Sequence, residues 1–276
     1  MLNRVWLITG ANSGFGRAIT EAAIAAGDIA VATARRVTSL DDLAAAHPGQ
    51  VDVLSLDVTD SAAIDATIRD VIGRHGRIDV LVNNAGRTHV GAVEETTDAE
   101  LRSLLEVHLL GPAALTRAVL PHMRSRRSGA IVQISSMGGQ MSFSGFSAYS
   151  ATKFALEGMS EALADEVRPL GIKVLIVEPG AFRTELFGSH TASAPISDYA
   201  ETVGRTRQMI ETSAGTQPGD PAKAAAAILT ALGSPDTPLR LPLGDDAIDA
   251  ILGHLDRTRA DIEDWEKVGR DTRLAG

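Results

Sequence analysis

The chain has 276 residues and a formal charge of −9, with 44% hydrophobic and 4% aromatic residues and no cysteine. The cysteine count excludes a disulfide framework, a thiolate nucleophile and a zinc–thiolate site, and the acidic balance speaks against a broad nucleic-acid or anionic-membrane surface. The length suffices for one large core, and no apolar run approaches a membrane span. The first four residues run into a strand without a signal-peptide apolar segment, so a cytoplasmic protein is expected.

Residues 5–9 (VWLIT) form a short buried strand. Glycines follow at 10, 14 and 16, and an Ala/Ile-rich helix covers 17–26. Strand, glycine loop and helix in that order aim backbone N–H groups and a helix N-terminus at a pyrophosphate. A second strand, 29–34, ends in Arg35–Arg36 with no acidic residue at positions 33–36. An acid there would grip a ribose 2′-hydroxyl, whereas an arginine accommodates a 2′-phosphate. The reading is therefore NADP over NAD, with Arg35 the first clamp and Arg36 the second.

The third strand, 51–56, meets Asp57–Val58 at its carboxyl end, where doubly wound sheets bind ligands. There Asp57 can accept from an adenine amino group and Val58 can pack on the ring. A helix over 61–75 follows, with Asp60 or Ser61 as N-cap. Strand 78–82 runs into Asn83–Asn84–Ala85–Gly86, a turn suited to cross-linking neighbouring strands. A long helix from Thr97 or Asp98 to about Arg124 is expected to bend at Gly111–Pro112. Strand 130–134 leads to Ser136, and a Gly/Ser/Met/Phe-rich loop, 137–147, is expected to line a substrate pocket. A helix from there to Val167 carries Tyr149 and Lys153, four residues apart and so on one face.

Strand 172–177 continues into Glu178–Pro179–Gly180–Ala181–Phe182–Arg183–Thr184. Residues 185–219, polar and small with a helix over 199–209, read as a lid over a binding site. Asp220–Pro221 opens a helix to Leu232, strand 239–243 carries Pro242 as an edge signal, and a terminal helix spans 245–268.

The chemistry centres on Ser136, Tyr149 and Lys153. A free phenol has a pKa near 10, and an ammonium one turn away is expected to lower it. With a serine hydroxyl holding a substrate oxygen, the set can pass a proton to or from a C–O group. The alternation of about seven strands with six or seven helices implies an α/β, Rossmann-like, doubly wound parallel sheet forming a single domain over 1–276, with 185–219 as the insert.

Thr9–Gly10 with Gly14 and Gly16, Asn83–Asn84–Ala85–Gly86, Ser136, Tyr149 with Lys153, and Pro179–Gly180 stand in order over residues 4–184. Together they resemble the single-domain branch of the short-chain dehydrogenase/reductase family. The resemblance implies that Gly10, Ser13, Phe15 and Gly16 hold the pyrophosphate and adenosine ribose, and that Arg35, with Arg36, takes a 2′-phosphate. Asp57 and Val58 bracket adenine, Asn84, Ala85 and Gly86 lie by the adenosine ribose, and Pro179, Gly180, Phe182 and Thr184 contact the nicotinamide. Tyr149 is then the general acid/base, Lys153 binds the nicotinamide ribose and lowers the tyrosine pKa, and Ser136 orients the substrate oxygen. NADP(H) is the preferred cofactor with NAD(H) possible, and no metal is involved. A homodimer or homotetramer is implied through the outer faces of the 98–124 and 148–167 helices, sometimes with the 221–232 helix and the last strand.

The family places an asparagine where this chain has His108. Histidine there either holds a water and relays a proton, making turnover pH-dependent between about pH 6 and 7.5, or is a packed core side chain. The expected activity is interconversion of a secondary alcohol and a ketone or aldehyde. Met137, Met141, Phe143, Phe146, Phe187 and Met209 favour an apolar substrate. The alternatives are an NAD-dependent reductase of small polar carbonyls, using Arg183 and Arg205, and a non-catalytic NADP(H)-binding sensor or scaffold.

Overall fold

The computed structural model describes residues 3–274; Met1 and Leu2, on which part of the leader expectation rests, lie outside them. In chain order the elements are β1 (Val5–Thr9), α1 (Gly14–Ala25), β2 (Ile29–Ala34), α2 (Asp41–Ala46), β3 (Val51–Ser55), α3 (Ser61–His75), β4 (Val80–Asn83), β5 (His89–Val90) and α4 (Asp98–Leu105). Then come α5 (Gly111–Arg126), β6 (Gly129–Ile134), α6 (Ser147–Val167), β7 (Ile172–Pro179), β8 (Thr191–Ala192), α7 (Arg205–Ser213), α8 (Pro221–Gly233), β9 (Arg240–Leu243) and α9 (Asp245–Arg270).

Seven strands form one parallel sheet in the order β3-β2-β1-β4-β6-β7-β9. The order reverses between β1 and β4, which opens a crevice at their carboxyl ends. Side chains alternate across the sheet. Trp6 and Ile8 of β1 face Ile19 and Ala23 of α1 and Ile228 of α8. Val5 and Leu7 face the other way, onto Ile68 of α3 and Leu115 and Val119 of α5. Each such large apolar side chain contributes roughly 1.5–3 kcal/mol of burial. As Pro242 suggested, β9 is an edge strand, pairing only with β7.

The expected helix starts hold. Asp60 accepts from Ala62 and Ala63 N–H at 2.9 and 3.0 Å, Thr97 and Glu100 form a capping box, and Asp220 accepts from Ala222 N–H ahead of Pro221. The expected interruption at Gly111–Pro112 takes the form of a π-helical turn, Glu106–Leu110, closed where the Gly111 N–H donates to the Glu106 carbonyl. Pro112 has no N–H to give the His108 carbonyl, which lets the ladder widen there. Gly111 also lies on β3's exit, where a Cβ would stand 2.5 Å from the Val58 carbonyl oxygen.

Contrary to expectation, the run Asp98–Arg126 is long and apolar enough to cross a membrane by length and composition. Its Leu104, Leu115, Val119 and Met123 are fully buried inside the protein. The segment 185–219 is more ordered than expected. Within it β8 pairs in parallel with β5, His89 opposite Thr191 and Val90 opposite Ala192, and a π-helical turn, Ala200–Gly204, precedes α7. Glu95, fully buried, accepts from Ala92 and Ile196 N–H and from Arg207, so it ties this segment to the loop before α4.

Gly16 carries the tightest constraint in the first helix. A Cβ on it would sit 2.2 Å from the Gly10 carbonyl oxygen and 2.5 Å from Asn84 Nδ2. Neither partner can retreat, because one is backbone and the other is hydrogen-bonded. Gly16→Ala is therefore expected to cost at least ~1–3 kcal/mol, read as a lower urea midpoint at unchanged m-value.

Candidate active site

A cleft of about 500 Å³ opens at the carboxyl ends of the strands. It crosses the sheet from the end of β2 to the end of β6, three strand spacings or ~14 Å. At one end stand Arg35, Arg36, Asp57 and Val58, and at the other Ser136, Tyr149 and Lys153, with Gly10, Ser13, Phe15, Asn84, Ala85, Gly86 and His108 also on the lining. Pro179, Gly180, Phe182 and Thr184 close one wall. Of the residues expected to hold the cofactor or do the catalysis, Gly16 is missing from the lining. It lies behind the glycine loop, where its lack of a side chain lets α1 approach Gly10 and Asn84.

The loop is held by Asn84 and Thr9. Asn84 Nδ2 donates to the carbonyls of Thr9 and Gly10 at 2.8 and 3.1 Å, and Thr9 Oγ1 accepts from the N–H groups of Asn84 and Ala85 at 2.9 and 3.0 Å. Asn83, fully buried, donates to Gln133 of β6 at 2.9 Å. Ser13 begins α1 with no side-chain cap, so the first N–H groups of the helix are left for a ligand.

Ser136 follows β6. Its Oγ accepts the Gly138 N–H at 3.0 Å, which leaves the hydroxyl proton for the Tyr149 oxygen beside it. On α6, Tyr149 and Lys153 share the buried face. Lys153 Nζ lies 5.6 Å from the tyrosine ring centre and donates to the Ile134 carbonyl at 2.9 Å. Burial pushes the Tyr149 phenol up to about 12, with the Ser136 hydrogen bond pulling the other way. Burial also pushes the Lys153 ammonium down to about 7, against the attraction of Glu157. The expectation that Lys153 lowers the tyrosine pKa is thus not met. Both groups have left water, and desolvation disfavours phenolate and ammonium alike.

His108 sits on the π-helical turn, edge-on to Tyr149 with ring centres 5.6 Å apart. Its Nε2 donates to the Arg87 carbonyl at 2.8 Å, a proton position assigned from that partner. Among the described residues, buried Nδ1 has no partner. Burial, reinforced by the Lys153 charge, holds the imidazole well below 6.5, so the expected titration between pH 6 and 7.5 is displaced downward. Gly86 makes room for the ring, since a Cβ there would lie 2.7 Å from His108 Cε1.

A family model described as short chain dehydrogenase matches residues 4–194. The chain belongs to the short-chain dehydrogenase/reductase family. A solved short-chain dehydrogenase from Streptomyces avermitilis is 63% identical, with a TM-score of 0.94 and 98% of each chain covered. A 3-ketodihydrosphingosine reductase of Bacteroides thetaiotaomicron is 37% identical over 88% of this chain and 89% of its own. A serine dehydrogenase solved with NADP+ is 26% identical, with a TM-score of 0.76, covering 87% of this chain and 94% of its own.

As a family member the chain is an NAD(P)-dependent oxidoreductase, and the cleft fits such a dinucleotide. It offers an open helix N-terminus, a glycine cradle between α1 and β4, and arginines at one end facing the hydroxyl pair at the other. Asp57 is less available than expected. Its Oδ1 accepts from Thr59 N–H and Oγ1 at 3.0 and 2.8 Å, and these bonds, with Arg35 and Arg87 nearby, keep the carboxyl below its ordinary value.

The loop 137–147, expected to line the pocket, lies behind the cleft's wall, with Gly138 donating to Ser136 and Phe146 edge-on to Tyr149 at 6.2 Å between ring centres. Met141 is buried, and Phe146 joins Val90, Val203 and Ile210 in a satellite core beneath residues 199–210. Met209 is exposed, and only Leu186 and Phe187 supply apolar walls from the insert. Arg183 donates to the Gln217 carbonyl and Arg205 pairs with Glu201 on the surface, so neither lines the cleft.

Two contributors escaped the sequence reading. Arg87 lines the cleft and is anchored through Nη2 to Ser103 Oγ and carbonyl at 2.6 and 3.1 Å. Its place directly after the Asn–Asn–Ala–Gly turn was the available signal. Asp246, at the start of α9, accepts the Ala181 N–H at 2.7 Å, and a Cβ on Gly180 would strike its carboxylate. Nothing local announces that contact.

Lys153 binds its proton more weakly folded than unfolded, about 7 against 10.5. Between those values the unfolded chain carries the extra proton, so stability rises with pH through that window. Tyr149 acts with opposite sign only between 10 and about 12. Relative to Lys153→Met, the wild-type protein is expected to gain stability from pH 7.5 to 9.5, with a slope approaching ~1.4 kcal/mol per pH unit. Parallel urea midpoints for the two proteins over that range would refute it.

Proposed function

We propose that this enzyme is an NADP(H)-preferring reductase and dehydrogenase that interconverts a ketone or aldehyde and the corresponding alcohol, with Tyr149 as general acid/base. The observation that carries the reading is the convergence of Ser136, Tyr149 and Lys153 on one buried wall of the cleft. When bound, the nicotinamide supplies the hydride donor or acceptor. The chain's own task is orientation and proton delivery. The Ser136 hydroxyl and the Tyr149 phenol form one hydrogen-bonding pair for a substrate oxygen. A phenol that holds its proton at neutral pH is poised to give it to an oxygen that gains negative charge during reduction. His108 is neutral here, and its Nδ1 is the acceptor that stands in for the family's asparagine.

Arg35 supports the preference for a 2′-phosphate, because no acidic residue shares the end of β2 with it. Arg87 adds a second cation near Asp57. The NADP+ complex of the serine dehydrogenase is consistent with that choice. An apolar substrate is supported by Phe182, Leu186 and Phe187 on the lining and by the 3-ketodihydrosphingosine that names the Bacteroides relative. We further infer that 185–219 is the substrate lid within a single domain, and that copies associate through the outer faces of the Asp98–Arg126 run and α6, where Leu110 and Phe154 are exposed.

Titration with NADPH and NADH, followed by nicotinamide fluorescence, tests the cofactor assignment. NADPH is expected to bind tighter by at least ~1.5–3 kcal/mol, and Arg35→Ala is expected to erase most of that difference; equal affinities in the wild-type protein would remove the Arg35 clamp.

Turnover tests the chemistry. Tyr149→Phe should bind NADPH normally yet reduce a ketone panel ~10²–10⁴-fold more slowly. A variant that keeps its rate would exclude Tyr149 as the proton donor.

A further inference from the structure

The last helix departs from the pattern of every other one. From Leu255 to Leu274 each residue of the chain is exposed, so α9 leaves the body after Ile251 and its last sixteen residues run free for ~24 Å. Large apolar side chains stand on this free part: Leu255 is 49% exposed, Ile262 64%, Trp265 68% and Val268 61%. A lone helix of this length is marginal in water, and helices of folded proteins are held by packing of an apolar face.

The spacing says what kind of face this is. Along the free part Leu255, Thr258, Ile262 and Trp265 recur at intervals of three and four, with Leu252 and Val268 flanking them. That spacing is the one of a coiled-coil seam. The remaining surface of α9 is acidic, with eight Asp and Glu against four Lys and Arg between Asp245 and Arg270. Such a helix is repelled by anionic membranes.

We propose that the seam is covered by α9 of a second copy of this chain, lying antiparallel. The flanking charges select both orientation and register. In a parallel pair Asp261 of one copy would face Glu266 of the other, two like charges. In an antiparallel pair with the two-fold axis between Ile262 and Trp265, Arg259 of each copy faces Glu266 of the other. Ile262 then packs on the second indole, and Gly269 leaves room for it. A shift of one heptad toward the body would set Arg259 against Arg259. Glu266 already accepts from Arg270 Nε at 2.6 Å through Oε1 and keeps Oε2 for the second copy. The pairing is isologous and closes as a dimer.

Sedimentation of the full-length chain tests this. Trp265→Asp is expected to halve the mass, from two copies to one, or from four to two where other faces also associate. Arg259→Glu and Glu266→Arg should each weaken association about tenfold, and the double exchange should restore it. Trp265 also reports directly, since the other tryptophan, Trp6, is fully buried. Acrylamide should quench neither indole in the associated form and one after Trp265 is freed by dilution. An unchanged mass for Trp265→Asp overturns the proposal, as does a double exchange that fails to recover. A wild-type protein of single-copy mass overturns it too, and if that protein sediments with phosphatidylcholine vesicles the occupant is a membrane. The charge variants keep the test decisive should Trp265→Asp unwind the free helix.

Discussion

The site depends on a knot of hydrogen bonds where the strand order reverses. Thr9 closes β1, and its Oγ1 donates to the Val82 carbonyl while accepting two N–H groups from the turn after β4. Asn84 returns two bonds to the backbone of Thr9 and Gly10. These five contacts satisfy polar groups that a crevice in the sheet would otherwise leave unpaired. They also set the glycine loop at a fixed height above β4, and Gly16 can only then slide in behind it. Helix start, cradle and Asn turn are therefore one object, and the arginines of β2 and the hydroxyls near β6 are positioned from it.

Beneath the reacting wall the protein buries an unusual amount of ionisable chemistry. Lys153 lies one turn from Glu157, and Glu157 shares Arg240 with Glu178, whose carboxyl burial pushes up to about 7. Gln140 donates to Glu178 at 2.7 Å. Glu157 and Glu178 are almost cut off from water, so their charges are set by Arg240, Gln140 and each other. The arrangement joins the catalytic helix to β7 and β9 through polar contacts that demand geometry, where apolar packing would tolerate sliding.

What could be read from the sequence follows physical range. The glycine loop, the Asn turn and the Tyr149–Lys153 pair are local patterns whose spacing states their geometry, and the cleft gathers them as expected. Helix caps at Asp60, Thr97 and Asp220 were legible for the same reason. Protonation was not, because the pKa of Tyr149 is decided by how completely the fold removes water, and no run of letters carries that. Arg87 and Asp246 matter through partners sixteen and sixty-five residues away. The Met/Phe loop misled because an apolar side chain looks alike whether it faces a ligand or a satellite core. Strands β5 and β8 are two residues each, too short for any alternation to show.

That last pair has a kinetic meaning. His89 and Thr191 stand 102 residues apart and meet through two-residue strands and side-chain bonds from His89 to Thr191 and Ser193. Closing so long a loop is entropically costly, and the β5–β8 pair lies outside the main sheet. This pair is thus expected to open locally while the main sheet stays intact. Amide exchange in β8 will accordingly be faster than in β1.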